Sequence, residues 1–85
     1  MDDSDVRVWL VEREYTDKGL VTLVYATTDG EQVLVEQRSA NRLRDVTAAR
    51  AVNPAKLIAP DDEDLDRYAN EATRMAERHD PGDAV

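Results

Sequence analysis

Apolar and β-branched residues are concentrated in three runs along the first part of the chain, Val6 to Tyr15, Leu20 to Thr28 and Glu31 to Arg38. Runs of this length and composition are typical of strands. Thr16-Asp17-Lys18-Gly19 separates the first two runs, and Asp29-Gly30, which separates the last two, favours a type I′ hairpin turn. The pattern predicts a three-stranded antiparallel meander in the order 1-2-3.

The predicted turns also set the register of the strands. If Tyr15 pairs with Leu20 and Thr28 with Glu31, each face of the sheet can be assigned. One face carries Val8, Leu10, Val21, Leu23, Tyr25 and Leu34, bordered by Glu12, Glu14 and Glu36; the other carries Trp9, Val11, Tyr15, Leu20, Val24, Ala26, Val33 and Val35. Because both faces are apolar, the sheet needs two covers.

A C-terminal amphipathic helix is predicted after these strands. Asp61 or Asp62 can cap it, and the acidic residues that follow complement the positive end of the helix dipole. Apolar positions recur at three-four spacing and end near His79, before Asp80-Pro81-Gly82: Leu65, Tyr68, Ala69, Ala72, Met75 and Ala76. We expect this helix on the face that carries Trp9, Val11, Val24 and Val35, and a frayed tail over residues 80–85.

The segment between sheet and helix, residues 39–60, is ambiguous. Its first part permits a helix capped by Ser39, although residues 42–46 could equally be irregular. Asn53-Pro54 reads as a cap with Pro at the first helical position, which predicts one turn through Ile58. The predicted fold is α+β in one domain, residues 1–79: a three-stranded antiparallel meander followed by a short helix and a longer C-terminal helix.

The charge composition is strongly acidic. Among 85 residues, 19 are acidic and 11 basic, for a formal net charge of −8; Asp outnumbers Glu 12 to 7, and Arg outnumbers Lys 9 to 2. A surface of short carboxylates suits concentrated salt, which screens its self-repulsion. The composition indicates a cytoplasmic protein of a halophile; the alternative is an ordinary acidic protein from a GC-rich genome, in which codon bias replaces Lys by Arg.

Three stretches resemble a family of small, acidic, uncharacterised proteins of halophilic archaea. They are Leu10-Val11-Glu12-Arg13-Glu14-Tyr15, Leu23-Val24-Tyr25-Ala26-Thr27-Thr28-Asp29-Gly30-Glu31 and Arg67-Tyr68-Ala69-Asn70-Glu71-Ala72-Thr73-Arg74-Met75-Ala76. Together they cover about half of the chain, and residues 39–60 lie outside them. The resemblance implies a halophilic habitat and carries no activity or site residues.

Several kinds of chemistry are excluded or disfavoured by composition. Without Cys and with one His, the chain has no disulfide, thiolate metal site, cysteine nucleophile or multi-histidine centre. The acidic run at residues 61–66 lacks the ligand spacing of a calcium loop, and Glu12 and Glu36 have no nearby base or pocket. We therefore expect no enzyme activity, metal, cofactor or small-molecule substrate. No apolar run reaches membrane-span length, so no membrane contact is expected.

The middle segment is locally basic, and its arginines are the candidate contacts to an anion or partner: Arg38, Arg42, Arg44 and Arg50. Guanidinium groups bind oxyanions in a bidentate fashion. These arginines could instead pair with the acidic helix of the same chain or of a second subunit. No glycine-rich phosphate loop or interleaved aromatic accompanies them, and the overall charge repels nucleic acid.

The function predicted from the sequence is a non-enzymatic interaction module or accessory subunit, partnered by itself or by another protein. The expected interface is the second apolar face, represented by Val8, Leu10, Leu23, Tyr25 and Leu34, because no cover for it is evident. In the competing arrangement, the segment from Leu43 to Ile58 folds back and covers this face within the monomer. The alternative function is a nucleic-acid-associated regulator that uses the basic segment from Arg38 to Arg50.

Overall fold

The computed structural model describes residues 5–16, 18–41 and 46–85, and within them the fold is α+β, as predicted. An antiparallel sheet has the strand order β3-β2-β1-β4 and is accompanied by one long helix. The elements in chain order are β1 Val6–Tyr15, β2 Leu20–Ala26, β3 Val33–Ser39, β4 Ala49–Val52, a 3₁₀ turn Pro54–Lys56 and α1 Asp62–Arg78.

A fourth strand, β4, was not predicted. It pairs antiparallel with the first part of β1, with Val6 opposite Val52 and Trp9 opposite Ala49. Of the two alternatives left open for the segment after β3, a helix capped by Ser39 is not formed by the described residues: Ser39 ends β3, residues 49–52 form β4, and residues 42–45 lie outside the described part of the chain. Alanines favour a helix locally, but here pairing with β1 and burial of Ala48 and Ala49 override that propensity. The predicted turn after Asn53 is present as the 3₁₀ turn, capped by the Asn53 side chain.

The predicted register between β2 and β3 is confirmed, with Leu23 opposite Glu36 and Tyr25 opposite Leu34. The turn type is wrong. A type I′ turn needs positive φ at both central residues, whereas only Gly30 has it, at 73°. The Asp29 carboxylate instead accepts hydrogen bonds from the Thr27 hydroxyl and the Glu31 backbone N–H, which stabilises a wider loop.

A β-bulge changes the predicted faces of β1. Tyr15 lies opposite Val21 rather than Leu20, and Val11 is the extra residue between the pairs formed by Leu10 and Glu12. A bulge inserts one extra residue into a strand, so the residues beyond it point to the opposite face from the one that a regular strand would give them. Glu12 therefore points to the helix side, where it pairs with Arg67 at 2.7 Å, and not to the face of Glu36 as predicted.

Helix α1 covers the expected side of the sheet, over β1 and β2. Its apolar face packs on a cluster formed by residues of the sheet and the following segment: Trp9, Val24, Ala26, Val33, Ala48 and Ala49. Asp61 occupies the N-cap position without a side-chain cap bond, and His79 is the C-cap. Val35, which was expected beneath this helix, is 51% exposed because the helix does not extend over β3.

The C-terminal residues 80–85 are docked rather than frayed. Ala48 donates its backbone N–H to Asp83, Ala49 donates to Pro81, and Val85 donates to Val46. The side chain of Val85 packs against both apolar clusters of the molecule. The tail was expected to be frayed because its own sequence has no pattern; its order comes from bonds to a distant segment.

Candidate interaction surfaces

The five residues predicted to form an interface are buried within the single chain. Val8, Leu23 and Tyr25 are fully buried, and Leu10 and Leu34 are 7% and 8% exposed. Val46 and Val52 join them in one cluster, and Leu57 and Val85 pack against it. The segment after β3 therefore covers this face, in the arrangement that competed with the interface, and the side chains do not form an open surface.

The arginines predicted to contact an anion or partner have a different arrangement from the one expected. Arg38 and Arg50 both bind the Glu36 carboxylate, through Nε and Nη1 respectively, each at 2.6 Å. Neither pairs with the acidic helix. Arg42 and Arg44 lie outside the described residues. Glu36 lies on β3 and Arg50 on β4, the two edge strands of the sheet. Their bond therefore joins both edges across the covered face, which is the face that carries Val8, Leu10, Leu23, Tyr25 and Leu34.

Partial burial shapes the electrostatics of this three-residue cluster, whose side chains are 27–32% exposed. Burial alone would raise the pKa of Glu36, but the hydrogen bonds and charges of Arg50 and Arg38 outweigh it and hold that pKa below its usual value. The bond to Glu36 likewise raises the pKa of Arg50. The single carboxylate thus offsets one of the two guanidinium charges and leaves the three-residue cluster with a net charge of +1.

Tyr25 lies beneath this cluster. The Arg50 guanidinium carbon is 5.3 Å from the centroid of the Tyr25 ring, within the range of a cation–π contact. The Tyr25 hydroxyl is buried without a hydrogen-bond partner in the described part of the protein. At this position the covered face is therefore bounded by the ion pair of Glu36 and Arg50, and not by an aliphatic side chain.

The outer edge of β3 is an open edge of the described sheet, and the sequence did not point to it as a contact surface. Val33 exchanges backbone hydrogen bonds with Ile58 at 2.8 and 2.9 Å. Because successive residues of a strand point their backbone groups to alternate sides, those of Val35, Gln37 and Ser39 also point outward. Among the described residues, these three have no backbone partner on that side.

Exposed apolar side chains accompany this edge. Val35 is 51% and Ile58 58% exposed, and both lie on the face that also carries the helix, since Ile58 pairs directly with Val33. The order 1-2-3 already placed strand 3 at an edge. This edge position was not recognised as a contact surface because Val35 was predicted to lie beneath the helix.

No group of three or more His, Asp or Glu side chains in residues 5–16, 18–41 and 46–85 is placed to hold a metal ion. In the same ranges, no helix has the length and hydropathy needed to cross a membrane.

Comparison with known proteins identifies the family. Neither the comparison with curated proteins nor that with solved structures found a match. A protein-family model does match, over residues 1–85. This match spans the whole sequence, including the segment 39–60 that the resemblance did not reach, and the chain therefore belongs to the family described as "Family of unknown function (DUF7967)".

Proposed function

We propose that this protein is a non-enzymatic interaction module that binds a partner strand along the outer edge of β3. The observation that carries the proposal is the row of outward backbone groups at Val35, Gln37 and Ser39, which have no partner among the described residues. An exposed edge of this kind is a template for an additional strand. Backbone hydrogen bonds supply affinity in such complexes, and alternate side chains supply specificity.

The surroundings of the edge support this function. Val35 and Ile58 place apolar surface beside the outward backbone groups, where an added strand could cover it. Glu36 and Arg38 project from the same strand on the opposite face and offer charges of both signs. The edge thus combines backbone groups, apolar contacts and a charge pattern, the three features that distinguish one partner strand from another.

The proposed function is still that of an interaction module, as predicted from the sequence, but the proposed contact surface is the β3 edge and no longer the second apolar face. The predicted apolar face is buried by Val46, Val52, Leu57 and Val85, so an interface there would require the covering segment to leave. The β3 edge requires no rearrangement. Nucleic-acid binding is less favoured, because Arg38 and Arg50 already share the Glu36 carboxylate and the net charge is −8.

We also propose that the module works in the cytoplasm of a halophile. The excess of 19 acidic over 11 basic residues supports this setting. Every described Asp and Glu is at least partly exposed, so the carboxylates lie where they meet solvent and cations. In concentrated salt, the Debye length falls to about 3 Å at 1 M, which permits close association of surfaces that carry the same net charge.

A proline at position 37 tests the proposed edge. Proline removes a backbone N–H, and the N–H of Gln37 points away from β2, so Gln37→Pro removes an outward donor and no ladder bond within the sheet. Gln37→Ala is the matched control, because it keeps that N–H. Tagged wild-type protein and both variants are incubated in molar KCl with untagged protein and with lysate of the source organism, and retained proteins are identified.

We expect wild type and Gln37→Ala to retain the same protein and Gln37→Pro to lose it. Far-ultraviolet circular dichroism checks that all three remain folded. Equal retention by the three proteins, or retention by none, contradicts binding at the β3 edge.

A further inference from the structure

We infer that the strand bound at the β3 edge is β3 of a second copy of this chain, antiparallel to the first, with Gln37 opposite Gln37 across a two-fold axis. This inference rests on the proposed function and names its partner. The reason is that, of the registers that place Gln37 opposite an outward residue of β3, only the one with Gln37 opposite Gln37 pairs opposite charges and leaves Ile58 in place.

The backbone directions limit the possible registers. Directly opposed residues of an antiparallel pair either exchange hydrogen bonds or do not, so an outward residue must face another outward residue. Val35, Gln37 and Ser39 are the outward residues that remain free of backbone partners among those described. A symmetric pairing therefore places an outward residue opposite itself or opposite another of these three.

The charges on the strand separate these registers. Glu36 and Arg38 point to the same face, one on each side of Gln37. With Gln37 opposite Gln37, each Glu36 lies opposite Arg38 of the other copy. With Val35 opposite Gln37, the two Glu36 residues face each other, and with Gln37 opposite Ser39 the two Arg38 residues do. Opposed charges of opposite sign stabilise a strand pair, and like charges destabilise it.

Ile58 excludes the remaining register near the start of the strand. Val35 opposite Val35 would bring Gln37 of one copy opposite Val33 of the other. The outward backbone groups of Val33 are already bonded to Ile58. With Gln37 on the axis, Val35 faces Ser39, and the pairing ends before the position that Ile58 occupies.

In this register the two sheets form one continuous sheet of eight strands. Arg38 of each copy lies beside a Glu36 carboxylate that Arg50 already binds, so the cluster of one chain continues into the next. The pairing covers only a few residues of each strand, and small interfaces of this kind are weak and transient. We expect a dissociation constant in the micromolar range, which corresponds to a binding free energy of about −8 kcal/mol.

Cysteine cross-linking tests the register directly, because the natural chain contains no Cys. In a hydrogen-bonded antiparallel pair the opposed Cα atoms are about 5.5 Å apart, within the range of a disulfide. Gln37→Cys should therefore form a covalent dimer under mild oxidation. Val35→Cys is the matched control, since its own counterpart lies roughly 14 Å away along the strand. A mixture of Val35→Cys and Ser39→Cys should yield a mixed dimer.

Sedimentation equilibrium of the wild-type protein in molar KCl gives a second readout. We expect the mass to rise from 9.6 kDa towards twice that value as concentration increases, and to stay at the monomer value for Gln37→Pro. A monomeric wild type, or cross-linking of Val35→Cys as readily as Gln37→Cys, overturns this inference. If Gln37→Pro abolishes binding of a different protein while the chain itself stays monomeric, the second copy is wrong and the proposed edge stands.

Discussion

Glu36 is the single residue that connects most of the features described above. It lies on an edge strand and accepts bonds from Arg38 of its own strand and from Arg50 of the opposite edge, and Arg50 in turn lies over the ring of Tyr25. Sequence reading placed it at the border of an apolar face, which is correct, but supplied no partner. Its partner Arg50 is 14 residues away on another strand, and the two meet only because of the path that the chain takes after β3.

Replacing Glu36 by Gln is expected to destabilise the protein in a pH-dependent way. The folded state holds the pKa of Glu36 below its usual value, so its stabilisation is fully present above the unfolded-state pKa, about 4.3, and is lost as pH falls through the lower folded-state pKa. At neutral pH we expect Glu36→Gln to cost about 1 kcal/mol, the upper end for partly exposed ion pairs.

Urea unfolding of wild type and Glu36→Gln at a series of pH values measures this difference. The two proteins should converge as the pH falls through the lowered folded-state pKa of Glu36, where the wild-type carboxyl takes up its proton. Glu31→Gln, on the exposed hairpin loop, is the control and should change little. A constant difference across the whole range would show that the carboxylate charge is not the source of the effect.

At the scale of elements, the β2–β3 hairpin and the helix are fitted to each other. The backbone of Gly30 lies so close to α1 that a Cβ there would come within 2.9 Å of the Ala69 Cβ and still closer to the Leu65 carbonyl oxygen. Thr73 adds a hydrogen bond from its hydroxyl to the Thr28 carbonyl, 3.3 Å long. The hairpin loop therefore positions the helix as well as reversing the chain.

Gly30→Ala should destabilise the protein more than Gly19→Ala, and the comparison isolates this helix contact. Both glycines have nearly the same φ, 74° and 73°, so both substitutions incur the cost of a left-handed residue, about 1–2 kcal/mol. At Gly19, apart from its chain neighbours, no atom of the residues that the structure describes lies within 4 Å of the added Cβ. Gly30→Ala adds the displacement of the helix, a further cost of about 1–3 kcal/mol typical of overpacking.

Thermal and urea unfolding of the two variants side by side provide the measurement. Equal destabilisation would mean that the helix moves away from the hairpin without cost, and that the close packing at Gly30 does not matter for stability.

At the scale of the whole molecule, two segments without strong patterns complete the fold. Residues 46–58 and the tail 80–85 supply Val46, Val52, Leu57 and Val85 to the covered face. A sheet of this size with two apolar faces is stable as a monomer only if both are covered, and here the second face is closed by β4 together with the irregular segments on either side of it and the tail. The surface that remains is acidic, because the net charge is −8 and every described Asp and Glu is at least partly exposed, and the outer edge of β3 is one open border of the sheet.

Salt should stabilise the whole molecule if the acidic surface is an adaptation to concentrated salt. Folding brings together carboxylates that the unfolded chain spreads out, and screening removes their repulsion. We expect the thermal midpoint and the unfolding free energy of wild type to rise from dilute buffer to molar KCl. A midpoint that stays flat or falls would contradict the halophilic setting. Sodium chloride at the same concentrations distinguishes screening from an effect of potassium.

Local sequence determined the elements whose patterns are strong and self-contained. Alternation defined β1 to β3, the Asp-Gly turn defined the β2–β3 register, and three-four spacing with acidic residues at its start defined α1. In each case the residues that determine the element lie within it or next to it. The absence of Cys and the shortage of His likewise excluded chemistry that no fold could restore.

Only the tertiary structure decided the bulge at Val11, strand β4, the docked tail and the partner of Glu36. Four residues from Ala49 to Val52 are too few to carry a pattern, and they become a strand because β1 offers an edge. The bulge compensates a turn longer by one residue, and so moves Glu12 to the helix side. Each of these features depends on contacts between residues distant in the chain, whose energies a local pattern does not contain. The free β3 edge follows for the same reason: the chain crossed to β1 and left Val35, Gln37 and Ser39 without a backbone neighbour among the described residues.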